Sequence, residues 1–142
     1  MDELTQQVVD KAERAVDQLR QRAKEPLDYS ESSLVAVEEM LAEASEFIDD
    51  MPDDQTDALV HLLGCYILEV GRRAFDGKYY WHDSSEQPVL VVGEPDCKIA
   101  LLAFDKVRGR LSGDEGDNIP FFYAGFSERA RNAEPGTDVL YV

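Results

Sequence analysis

Apolar residues recur every three or four positions through the first half of this chain, so helices are expected there. Over residues 2–24, Leu4, Val8, Ala12, Ala15, Val16 and Leu19 share helical spacing among strong helix formers. The apolar stripe is thin, which predicts a helix packed loosely on the body or one that mediates dimerisation. Pro26 stops it. Asp28 followed by Glu31 reads as a capping box opening a second helix. In that helix Leu34, Val37, Met40, Leu41, Ala44, Phe47, Ile48 and Met51 fall on one arc. Glu31, Glu38, Glu39, Glu43, Glu46, Asp49 and Asp50 fall on the other, giving an amphipathic surface helix.

Pro52-Asp53-Asp54 reads as a turn, with Asp53 or Asp54 capping a third helix that runs to Phe75. That helix is apolar nearly all round, so it is expected to be central and buried. Gly64 and Gly71 share one of its faces. Each costs about 1 kcal/mol against Ala, which close approach of another element would offset.

After Asp76-Gly77 the period shortens to two. Lys78–His82, Pro88–Val92 and Cys97–Leu102 read as strands, the last two joined as a hairpin through Gly93–Asp96. Helical spacing returns over Ala103–Leu111. Asp117 or Asn118 then caps a last helix, with Pro120 near its first position, to Asn132. The apolar end of the tail is either an edge strand or free. The expected class is α+β, with helices packed on a three- to four-stranded antiparallel sheet. A length of 142 residues fits one domain over 25–142, preceded by a peripheral helix over 1–24.

Charge changes this picture most. The formal net charge is -16. From Glu25 to Asp57 there are twelve carboxylates and no Lys or Arg, and the next cation after Lys24 is Arg72. Such a field repels nucleic acid and anionic lipid and attracts basic surfaces. Like charges three or four apart cost a few tenths of a kcal/mol each, where an ordinary solvated helix alternates signs. Glu39, Glu43, Glu46, Asp49, Asp50, Asp53 and Asp54 are therefore the candidate docking face for a basic protein, with neither nucleic acid nor membrane as partner. The competing account is a merely soluble surface in an acidic proteome.

Other chemistry is sparse. Two cysteines do not form a disulfide framework, no run is long enough to span a membrane as a helix, and the opening MDELTQQ lacks a secretory pattern. A cytoplasmic location is expected. His61 and Cys65 have the spacing of half a zinc site, which His82 and Cys97 could complete. With no CxxC or HExxH, a packed helix carrying a buried Cys and a half-buried His is the better account, so no metal is assigned. Glu69 can pair with Arg72 and Arg73 as an internal ion network. The alternative is a small-ligand or enzymatic pocket between the central helix and the sheet, lined by Tyr66, Glu69, Arg72, Trp81 and Lys106. Phosphate loop, dinucleotide fingerprint and nucleophile elbow are all missing, so no catalytic residue and no cofactor are assigned.

LDYSESSL, LGCYILEVGRR and FDKVRGRL with its following Gly and FF pair resemble small bacterial domains over Leu27–Tyr123. The overall profile of a small, acidic, motif-poor α+β chain is similar to bacterial toxin-immunity proteins. That resemblance implies a non-catalytic inhibitor docking on a basic toxin or nuclease. A homodimeric scaffold built through the first helix is the remaining alternative.

Overall fold

One helix organises the rest. The computed structural model describes residues 2–142, and its longest element is α3, Asp53–Phe75. Val60, Leu63, Tyr66, Ile67, Leu68 and Val70 of α3 are all at most 1% exposed, which makes it the buried helix that its all-round apolar pattern predicts. Around it stand α1 (Glu3–Leu19), α2 (Leu34–Ser45), α4 (Phe104–Leu111) and α5 (Ile119–Arg131). The sheet comprises β1 (Lys78–His82), β2 (Gln87–Val92), β3 (Lys98–Leu101) and β4 (Asp138–Tyr141), in the order β1-β2-β3-β4. Leu90, Val92, Ile99 and Leu101 join the helical core, and Val89, Val91, Ala100 and Leu102 form a second small cluster.

The architecture is α+β, but the sheet is mixed rather than wholly antiparallel. β1-β2 and β2-β3 are antiparallel, whereas β4 lies parallel to β3, with Ile99 opposite Val139 and Leu101 opposite Tyr141. A parallel pair needs a long crossover. Here α4 and α5 supply it, returning the chain to the edge in the direction of β3.

The first helix stops at Leu19 rather than at residue 24, and it is not loosely packed. Val8, Val9, Ala12 and Ala15 are buried, and Val8 and Ala15 belong to the main core. Small side chains at Ala12 and Ala15 let its backbone lie close to its neighbour, so a thin stripe suffices. Leu4, Val16 and Leu19 of the same stripe are half-buried and pack against that core. Met1, included in the expected 1–24 segment, lies outside the described residues.

The start of α2 also differs from expectation. Ser30, not Asp28, caps the entry, accepting from the Ser33 N–H at 3.2 Å. Asp28 is occupied by the Ser30 N–H and hydroxyl at 3.1 and 2.6 Å. Glu31 is left to reach across to Ser127 and Arg131 at 3.2 and 3.3 Å. The end comes early as well. α2 stops at Ser45, a single 3-10 turn over Ile48–Asp50 follows, and Phe47 turns outward, 58% exposed.

The two glycines of α3 have the close neighbours their cost demands. A Cβ on Gly71 would sit 2.7 Å from Leu90 Cδ2 and 3.3 Å from Phe126 Cε2, and one on Gly64 would collide with the Phe104 ring. Gly64→Ala gains about 1 kcal/mol of helix propensity but overpacks a ring stacked on His61, at about 1–3 kcal/mol. A net loss of stability is expected, read as a lower urea midpoint at unchanged slope. A raised midpoint would contradict this packing.

Candidate protein-docking face

The acidic segment looks uncompensated only along the chain. In the fold, four of its twelve carboxylates are engaged. Glu38 accepts from Arg110 Nε at 2.6 Å and from the Ile119 N–H at 3.0 Å, so it holds α4 and the N-terminus of α5 against α2. Glu31 meets Arg131, and Asp57 meets Arg108 at 2.8 Å. Asp28 completes the turn with Ser30.

The seven carboxylates predicted for docking behave differently. Glu39, Glu43, Glu46, Asp49, Asp50, Asp53 and Asp54 are all exposed. Every ion pair among the described residues is made by other acids. Two cations do lie nearby, which the spacing of charges along the chain does not reveal. Arg22 and Lys24, from the turn after α1, share a depression of about 310 Å³ with Glu39, Glu43 and Glu46. Neither makes a salt bridge there.

Beside this face runs an apolar groove that sequence reasoning missed. It has a volume of about 560 Å³ and is walled by Leu19, Met40, Ala44, Phe47, Met51 and Leu59, above the buried Leu63. Glu43 and Arg22 are the charged residues in its lining. The end of α1, the end of α2 and the start of α3 meet here. The heptad-like arc places Phe47 and Met51 inward only if α2 continues past Ser45. The run Asp49-Asp50-Met51-Pro52 was the signal that it would not.

The residues of the alternative pocket serve separate local sites. Tyr66 shares a 2.6 Å hydrogen bond with Ser33 Oγ, accepts from the Tyr29 N–H at 3.0 Å and stacks on the Tyr29 ring. Lys106 pairs with Asp117 at 3.0 Å. Trp81 is 52% exposed and borders a small cavity of about 130 Å³ with Lys11, His61 and Cys65, and it is the only one of the five in that lining. Glu69 and Arg72 do meet, inside a buried network.

Glu69 is 0% exposed. Arg72 donates to it twice, at 2.5 and 2.8 Å, Arg73 once at 3.2 Å, and the Tyr79 hydroxyl at 2.7 Å. Burial alone would push the Glu69 carboxyl up. The bonds from Arg72 and Tyr79 and the Arg72 charge outweigh it, and its pKa is lowered. Burial and the neighbouring carboxylate push the Tyr79 phenol far up, and Glu69 raises Arg72. Each group is locked in one protonation state, which suits a structural anchor and not proton transfer.

The histidines and cysteines are likewise occupied locally. His61 stacks on Phe104 with ring centroids 5.1 Å apart, and Lys11 Nζ lies 3.5 Å from its Nδ1. Burial and the Lys11 charge lower its pKa, so it is neutral at pH 7. Burial pushes the Cys65 thiol up to about 12. His82 bonds Ser85 at 2.6 Å. Among the described residues no three His, Cys, Asp or Glu are grouped to hold a metal ion, and no helix is long and apolar enough to cross a membrane.

The Glu69 network makes a prediction. Glu69→Gln removes the buried charge and weakens its bonds to Arg72, Arg73 and Tyr79; both arginines reach solvent, so a loss of about 1–3 kcal/mol is expected at pH 7. Because the folded carboxyl titrates below its unfolded value, its contribution is full above that value, about pH 4.3, and is lost as pH falls through the folded pKa. Urea melts of the two proteins should therefore differ most at neutral pH and converge on acidification. A gap that stays constant down to pH 3 would contradict the ionised anchor.

Comparison with known proteins finds no matching family model, no matching curated protein and no matching solved structure, so function rests on this chain's own residues and geometry.

Proposed function

We propose that this chain is a non-catalytic binding protein that docks on a basic protein surface through the face formed by Glu39, Glu43, Glu46, Asp49, Asp50, Asp53 and Asp54. One observation carries the reading. These seven exposed carboxylates stay out of every ion pair among the described residues, while Glu31, Glu38 and Asp57 of the same segment find arginines. The chain has cations to spare nearby and does not use them there. Holding like charges together on one face is mildly unfavourable in the free protein and is relieved when a cationic surface covers it.

The partner class that fits is a toxin or nuclease whose basic groove normally takes an anionic substrate. An acidic face that fills such a groove displaces the substrate. The hydrogen bond that ties buried Glu69 to Tyr79, the burial that keeps the Cys65 thiol protonated and the stacking of half-buried His61 on Phe104 support a role without chemistry of its own. Complementary charge makes association fast and dependent on salt.

A variant with Glu39, Glu43, Glu46 and Asp50 changed to Lys tests the reading. Basic proteins from the host lysate should be retained by the wild type at low salt and lost by the variant. Their association rate with purified wild type should fall steeply as ionic strength rises. Retention of the same proteins by both forms, at a rate indifferent to salt, would contradict a docking role for the acidic face.

A further inference from the structure

The groove beside the acidic face narrows the partner further. We infer that it receives a cationic amphipathic helix of the partner protein, whose apolar stripe seats between Leu19, Met40, Phe47 and Leu59 while its basic flanks meet the carboxylates; this rests on the docking function proposed above.

Three features select that occupant. The first is volume and chemistry: about 560 Å³ lies within the range of roughly 300–1,000 Å³ that ligand grooves occupy, and the walls are mostly apolar. Phe47, more than half exposed at its edge, is a large apolar side chain that folding leaves uncovered. Met40 and Met51 add unbranched thioether chains that adapt to a ligand's shape.

The second feature is charge. Glu43 in the groove, Glu39 and Glu46 in the neighbouring depression, and exposed Asp49 and Asp50 between the groove residues Phe47 and Met51 stand against two cations, Arg22 and Lys24. A neutral apolar segment would leave that imbalance uncompensated, and an anionic lipid surface would be repelled. A small polycation would satisfy the carboxylates but leave the apolar floor wet. Only an occupant with both a cationic flank and an apolar stripe satisfies both halves.

The third feature is backbone accounting. The walls are contributed by the ends of α1, α2 and α3, and the sheet's strands are not among them. An extended segment would find no ladder there for its own N–H and C=O groups. A helix arrives with those groups already paired and presents anchors at i, i+3, i+4 and i+7.

The test uses synthetic peptides and the full chain, read by fluorescence anisotropy at moderate salt. The probe is a Leu/Lys peptide of about five helical turns with one apolar stripe. The controls are a scrambled peptide of the same composition and a Lys-only peptide of equal charge. The striped peptide should bind at least tenfold tighter than either control. Ala44→Trp, which fills the groove, and Phe47→Ala, at an exposed position where folding is not at stake, should each weaken it about tenfold without changing Lys-only binding. Equal affinity for striped and scrambled peptides, or indifference to both substitutions, would overturn the groove as a helix site and leave the acidic docking face standing. Equal binding of the striped peptide to the wild type and to the fourfold Lys variant would instead overturn the acidic reading and this inference with it. Binding of none of the peptides would overturn the inference.

Discussion

The buried Glu69 carboxylate is the interaction on which the arrangement of this molecule depends. It sits in the last two turns of α3 and gathers Arg72, Arg73 and Tyr79 of β1, so the central helix is registered against the sheet. Arg73 then lies over the Tyr29 ring, 3.6 Å from its centroid, and Tyr29 stacks on Tyr66. Tyr66 in turn bonds Ser33 at the entry to α2. One connected set of polar and aromatic contacts thus runs from the first strand through α3 to the second helix. Burying a charge is costly, and a well-packed apolar substitute is often as stable. What the network adds is a single orientation, since Glu69 has donors on one side of α3 only. Arg72 and Arg73 also lie in the last turn of that helix, where cations are favoured.

With α3 fixed, the fold sorts its carboxylates. Those of α2 and early α3 that face the second half of the chain are tied: Glu38 to Arg110 and the start of α5, Glu31 to Arg131, Asp57 to Arg108. Glu38 is mostly buried and contributes a negative charge at a helix N-terminus as well as an ion pair. The remainder point away from the body. The same segment therefore supplies glue on one side and an unpaired acidic surface on the other, next to the groove that the early end of α2 opens.

Local patterns made much of this legible. The span of α3, the three strands from Lys78 to Leu101, the Asn118 cap and the paired glycines follow from period, caps and propensity, all of which act within a few residues. Asp53 and Asp54, expected to cap α3, instead lie in its first turn, and Pro52 at the cap position has no side-chain acceptor to offer. The Glu69–Arg72–Arg73 cluster follows from helical spacing. The misses share a different origin. The direction of β4 is set by the lengths of α4 and α5, not by the residues DVLY. The ion pairs of Asp57, Glu38 and Glu31 span 51, 72 and 100 residues of sequence, so a scan for neighbouring counter-charges cannot see them. The groove was hidden because a 3.6-residue period extrapolates smoothly through Phe47, while the backbone tightens there into a 3-10 turn. The seven carboxylates of the docking face were correctly placed on the outside, whereas Glu38, from the same outward arc, turns in against Arg110 and the start of α5.

The central claim is this division of one acidic segment into carboxylates the fold uses and carboxylates it leaves free. The most direct measurement compares urea unfolding of Glu38→Gln with that of Glu43→Gln at low ionic strength. The account predicts a loss of about 1–3 kcal/mol for the first, whose partners Arg110 and the Ile119 N–H lose a charged acceptor. For the second it predicts a change within about 0.5 kcal/mol, or a slight gain as repulsion is relieved. Equal losses at the two positions, or a neutral effect at Glu38, would contradict it.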